Sequence, residues 1–193
     1  MNPRMKLLVG SVAVALFATA IAGLVASVYL LKSEHSIVRA MGSSFPAAKV
    51  EGRTVSYGMY LEHVDAQRAF LSGPLVADTG VQRDITDAER QEALDRAIRI
   101  EAVEGLAVES GVVVTPLDVD RAYDELVARA GTSTTPGEID VFLKAQFGWN
   151  EEEYKQYLLR PAFIEEILRS KGGDTFDAQL QARIDGAKRY LTF

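Results

Sequence analysis

Residues 86–111, TDAERQEALDRAIRIEAVEGLAVESG, carry the reading on which the fold class turns. Thr86 followed by Glu89 is a capping box: the threonine hydroxyl accepts from one orphan N–H at a helix start, and the glutamate reaches back to another. Leu94, Ala97, Ile98, Ala102 and Leu106 then recur at helical spacing and define one inward face. Ser110-Gly111 ends the segment, as glycine commonly does at a helix C-terminus. The same sequence of cap, apolar stripe and glycine repeats on both sides of this stretch.

Upstream, Ser56 caps a helix with Tyr57, Tyr60, Leu61, Val64 and Leu71 inward, ending near Ser72-Gly73-Pro74. Downstream, Thr115 with Pro116 at the first helical position opens a helix carrying Val119, Tyr123, Leu126 and Val127, which Gly131 closes. Thr135-Pro136-Gly137-Glu138 starts another, with Ile139, Phe142, Leu143 and Phe147 on one face and Gly148 at its end. Asn150 and Glu153 cap a fifth, with Tyr154, Tyr157, Leu158, Ile164, Ile167 and Leu168 on one side. Pro161 lies inside that helix and is expected to bend it, because its ring removes a backbone donor and crowds the preceding turn. After Lys171-Gly172-Gly173, Asp174 starts a last helix with Phe176, Leu180, Ile184, Ala187 and Leu191 inward. Strand signals are few. Val50 to Val55 alternates around Gly52 and reads as a short strand or tight hairpin, and Val112-Val113-Val114 reads as an extended connector pairing with the strand near Val50. The expected fold class is therefore mainly α, a multi-helix domain of about six helices with one or two short strands, preceded by an N-terminal transmembrane helix.

That N-terminal helix rests on Leu7 to Leu31, LLVGSVAVALFATAIAGLVASVYLL, which has no charge and follows Arg4 and Lys6. At about 1.5 Å per residue it is long enough for a hydrocarbon core of roughly 30 Å. The basic residues keep the N-terminus in the cytoplasm, which sends the rest of the chain to the extracytoplasmic side of the membrane. Ala18-Thr19-Ala20 resembles a signal-cleavage site, but the apolar run continues well past it, which favours an uncleaved anchor. Ala18, Ala22 and Ala26 recur every fourth position, a spacing compatible with a homodimer. The expected organisation is residues 1–31 as cytoplasmic tip and signal-anchor helix, 32–49 as stalk, and 50–193 as the helical domain. Ile37, Val38 and Met41 extend the membrane helix until Gly42 in this reading.

The chain has a net charge of -6, and removing the first 31 residues leaves 19 basic against 27 acidic side chains. Such a surface argues against nucleic acid or anionic headgroups as partners. Cysteine is absent, which excludes disulfides, thiolate nucleophiles and thiolate metal sites. His35 and His63 have no ligand-spaced partner and read as solvated side chains. No Gly-rich phosphate loop or G-x-S-x-G elbow occurs, and Glu151-Glu152-Glu153 reads as the acidic first turn of a helix. No catalytic residue, metal or cofactor is expected.

Four segments in order carry a family resemblance: Val50-Glu51-Gly52-Arg53-Thr54-Val55-Ser56, Ala93 to Ile98, Gly111 to Val119, and FLKAQFGWNEEEY from Phe142 to Tyr154. Together they resemble the N-terminal chaperone domain of the SurA, PrsA and trigger-factor group over roughly residues 50 to 170. The Arg160-Pro161 step is similar to that of membrane-anchored members. The resemblance implies a helical cradle that holds unfolded polypeptide. In the family a parvulin-type isomerase domain often follows; here Ala182 to Leu191 would be its lead-in and Phe193 ends the sequence, so no isomerase activity is expected. The side chains suited to holding a client are Tyr57, Tyr60, Tyr123, Phe142, Phe147, Trp149, Tyr154 and Tyr157, with Trp149 and Tyr157 the most exposed. The expected function is a membrane-anchored holdase for unfolded or exported polypeptides. The alternative is an adaptor subunit docking one folded partner in an envelope complex, followed by a peptidyl-prolyl isomerase.

Overall fold

The computed structural model describes residues 3–77, 83–130 and 136–193. Its centre is α5 (Asp87–Glu109), the helix of the opening stretch. The Thr86–Glu89 capping box forms with both of its hydrogen bonds, and Leu94, Ala97, Ile98 and Ala102 are fully buried. Ala93, Ala97, Ala102 and Gly105 keep this helix narrow, so that α3 (Tyr57–Ser72), α9 (Arg160–Gly172), α10 (Asp174–Asp185) and a small sheet all pack against it. A methyl group on Gly105 would lie 3.0 Å from the Arg183 guanidinium and 3.3 Å from Arg53 Cδ.

The sheet has three strands in the order β2-β1-β3, both pairings antiparallel. β1 (Pro46–Val50) and β2 (Arg53–Ser56) form a hairpin, the second of the two readings of Val50 to Val55, with β1 lying mostly upstream of that stretch. Glu51 and Gly52 both have positive φ, 47° and 86°, as a two-residue turn matched to strand twist requires. The other edge of β1 is taken by β3 (Lys188–Arg189), and this corrects the expected role of Val112–Val114. Those three valines are extended without ladder partners: Val112 and Val114 turn into the core while Val113 is 81% exposed. The final helix also ends earlier than its apolar pattern suggests. α10 stops at Asp185, and Leu191 reaches the core, fully buried, from the segment beyond β3.

The remaining helices follow their caps. Ser56 Oγ accepts from Met59 N–H at the start of α3, and Thr115 and Asp118 bond reciprocally at the start of α6 (Pro116–Ala130). A single turn, α4 (Pro74–Ala77), follows α3. α7 (Pro136–Phe147) leads to the Asn150–Glu153 capping box and α8 (Glu151–Tyr154). The expected signals at Gly131 and Thr135 lie outside the described residues. Between α8 and α9 the helix widens into a π turn over Lys155–Leu159, where Arg160 N–H bonds Lys155 C=O. This is how the chain accommodates Pro161: the wide turn relieves the crowding of the ring, and the missing donor falls at the start of α9.

At the N-terminus, α1 spans Pro3–Tyr29 and α2 spans Ser36–Gly42. The expectation that α1 runs on to Gly42 is corrected: the chain reverses near Lys32, at φ 49°, and His35 caps a separate α2. Residues 32–49 are not a free stalk either, since they include α2 and β1. Val28 is fully buried, Tyr29 donates to the Pro46 carbonyl at 3.0 Å, and its ring stacks on Phe45. Gly42 permits this contact, because a Cβ there would approach Val28 Cγ2 to 2.9 Å. Among the described residues no helix is long and apolar enough to cross a membrane. The side chains of residues 7–15 of the Leu7–Leu31 span lie outside the described residues.

Candidate functional site

Two cavities lined mainly by apolar side chains lie next to one another, the larger along α3 and α5 and the smaller between α6 and α7. The larger encloses about 470 Å³. α3 contributes His63, Ala66, Gln67 and Phe70, residues one helical turn apart on its second face. α5 contributes Arg96, Arg99 and Ile100 at the same spacing, and the π turn with α9 supplies Tyr157, Leu158, Pro161 and Glu165. Phe147 and Trp149 close the wall from the end of α7. The smaller cavity, about 350 Å³, lies between α6 and α7 and is lined by Tyr123, Leu126, Ile139, Phe142, Leu143 and Tyr154.

A continuous run of rings links the two. Tyr123 and Tyr154 have centroids 6.3 Å apart, Tyr154 and Phe147 6.2 Å, and Phe147 and Trp149 5.8 Å. Trp149 then meets His63 edge-on at 5.8 Å and Tyr157 at 5.8 Å, while His63 and Tyr157 lie 5.7 Å apart. Each spacing falls in the range where aromatic pairs attract beyond simple burial. The π turn places Tyr157 and Leu158 on this wall, so the irregularity imposed by Pro161 sits at the cavity.

The eight candidate residues divide three ways. Phe147, Trp149 and Tyr157 line the larger cavity, and Tyr123, Phe142 and Tyr154 the smaller. Tyr57 and Tyr60 are corrected to core positions, 0% and 1% exposed, at the contact between the two chain ends. Tyr57 donates to the Ser33 carbonyl and Tyr60 stacks with Phe193, and burial drives the Tyr57 hydroxyl up to about 12. The expected exposure of Trp149 is corrected as well: its ring is only 4% exposed, whereas Phe142 is 53% exposed and Tyr157 half-buried.

His63 is the main residue that sequence reasoning misplaced. It is not solvated but 3% exposed, and burial, assisted by the Arg96 charge, lowers its imidazole to about 4. The ring is therefore neutral at pH 7, and its Nε2 has no hydrogen-bond partner in the protein. Trp149 Nε1 and the Tyr123 hydroxyl, one in each cavity, are likewise buried without a partner. A signal existed in the sequence: His63, Ala66, Gln67 and Phe70 form an i, i+3, i+4, i+7 set, which marks a second face on α3, the one that lines the larger cavity.

Charges stay at the rims. Arg99 holds Glu165 through two 2.7 Å hydrogen bonds, and Arg96 reaches Gln67 at 3.0 Å. By the smaller cavity, Lys155 Nζ sits 4.7 Å from the Tyr123 centroid and contacts Asp120 and Glu151. Burial works against its charge, but hydrogen bonds to these two carboxylates outweigh that and raise its pKa. Comparison with protein-family models, with curated proteins and with solved structures returns no match.

Proposed function

We propose that this chain is a membrane-anchored, extracytoplasmic protein that holds unfolded or exported polypeptide without covalent chemistry. The observation that carries this reading is the pair of adjoining cavities joined by an aromatic wall. An extended chain presents successive side chains about 3.3 Å apart along its length, and two apolar recesses with a ring-lined saddle between them can take side chains of varied shape. Burial of client apolar surface supplies the driving force. A lining made mostly of apolar and aromatic side chains leaves the sequence of the client largely unspecified. The resemblance of residues 50 to 170 to the SurA, PrsA and trigger-factor group points the same way.

The anchor is supported by the uncharged run Leu7 to Leu31 and by Ile37 and Met41 of α2, each 62% exposed beside the end of α1. Tethering raises the local concentration of the holding site near the point of export. Reconstituted in lipid vesicles, the full chain is expected to delay aggregation of a chemically denatured, unrelated protein at stoichiometric ratios. Unchanged aggregation in the presence of folded protein would reject the holdase reading.

A second reading, the adaptor that docks one folded partner, is favoured by a different surface. Val108, Val113 and Leu117 are 69%, 81% and 58% exposed around the α5–α6 connection, away from both cavities. Recovery of one stoichiometric partner, lost on replacing these three residues with serine, would support that reading over the first.

A further inference from the structure

The larger cavity carries more chemistry than an apolar recess needs. A site that only buries hydrocarbon is best lined by groups without polar atoms, yet two ring nitrogens, His63 Nε2 and Trp149 Nε1, are buried in its wall with no protein partner. Leaving such groups unpaired costs about 1–3 kcal/mol each. The indole nitrogen can only donate, whereas the neutral imidazole Nε2 donates or accepts according to tautomer. A hydroxyl does both, and is the smallest group able to serve the pair whichever tautomer is present. The two rings meet edge-on at 5.8 Å, and both line this cavity.

The body of the occupant follows from the rest of the wall. Phe70, Phe147 and Tyr157 line the same cavity as these two rings, and about 470 Å³ accepts a six-membered aromatic ring with its attached chain. A formal charge fits poorly. The rim arginines already engage Glu165 and Gln67, and the interior that strips the charge from His63 would resist another.

We infer that the larger cavity is a binding site for a neutral phenol group, whose ring packs among Phe70, Phe147 and Tyr157 and whose hydroxyl pairs with His63 and Trp149. Both nitrogens are closed off before binding, so rotation of the aromatic side chains accompanies entry. The phenol can come from a tyrosine of a held polypeptide, in which case the inference rests on the proposed function, or from a free phenolic compound.

Trp149 is the single tryptophan of the chain and reports directly on this cavity. The test titrates the full-length protein with N-acetyl-tyrosinamide and with N-acetyl-phenylalaninamide, following Trp149 emission excited beyond the tyrosine band. The expected result is a saturable change with the tyrosine probe binding roughly tenfold tighter, as one to two net hydrogen bonds require. Equal affinities, or no saturable change with either probe, would overturn the inference, and neither measurement depends on a variant folding. His63→Leu is expected to narrow the difference between the two probes while phenylalaninamide binding persists; an undiminished preference for the tyrosine probe would remove His63 from the site. Extended peptides bearing one tyrosine or one phenylalanine separate the sources: a tyrosine peptide tighter than the free amide assigns the site to polypeptide, and a weaker one assigns it to small phenols. Discrimination between the amides without protection of a denatured client would reject the holdase while the site stands. Protection without discrimination would do the reverse.

Discussion

His63 shows how one residue ties the candidate site to stability. Its imidazole titrates near 4 in the folded chain because burial opposes the charged form and Arg96 adds to that opposition, against an ordinary value of 6.5. Between these values the unfolded chain binds the proton more readily, so protonation pulls the equilibrium toward unfolding. The associated stability is complete above pH 6.5 and is lost progressively as the pH falls toward 4. Going from pH 7 to 4.5 is expected to remove about 2 kcal/mol through this residue. Urea unfolding at both pH values, in wild type and in His63→Phe, isolates the contribution: the variant should lose less stability on acidification by about that amount. An identical loss in both proteins would mean that the ring is solvated after all. Carboxylates such as Glu89, held down to about 2 by Arg83 and Thr86, respond at lower pH and equally in both proteins.

At the scale of elements, capping chemistry was the most readable part of the sequence. Thr86, Asn150, Ser56 and Thr115 each accept at the start of the helix they were expected to open. These contacts are local, set by residues three apart, and need no knowledge of the rest of the fold. What sequence did not show depends on long-range choice. Three valines could pair with β1, but Lys188 and Arg189 do so, since the ion pair of Arg189 with Asp95 and the burial of Leu191 hold the C-terminal segment there. The π turn was hidden for a similar reason, because Pro161 signals a disturbed helix without saying whether the chain kinks or widens. At the candidate site, aromatic residues could be named from composition, but periodicity could not separate Tyr60 in the core from Tyr157 on the cavity wall. α5 offers the cleanest test of the local rule. Thr86→Ala removes the hydroxyl that accepts from Glu89 N–H and half of a box that also engages Arg83. It is expected to cost about 1 kcal/mol in chemical denaturation, and an unchanged midpoint would show that tertiary packing alone fixes the helix start.

Across the whole molecule, the segment after α1 and the C-terminal segment are locked to the same surface. Phe193 stacks on Tyr60 at 5.7 Å, and Lys32, just after α1, lies over the Phe193 ring at 4.5 Å. Glu34 pairs with both Arg68 of α3 and Arg90 of α5, and Arg39 of α2 pairs with Asp65, so the segment after α1 is fixed to two helices. These exposed or half-buried ion pairs set geometry more than they add stability. The apolar closure is different. Leu191 is fully buried, and the strand before it completes the sheet over α5. Its removal opens a void in the core cluster that also holds Val28, and Leu191 lines neither cavity. Leu191→Ala is therefore expected to cost about 2–5 kcal/mol and to release the contact of Tyr29 with Pro46. Thermal unfolding would read the first effect, and faster hydrogen exchange through residues 28–50 the second. If stability fell but exchange in that segment did not change, the C-terminal closure and the seating of α1 would be independent. The seating of α1 would then rest on the contacts made by Val28, Tyr29 and Glu34.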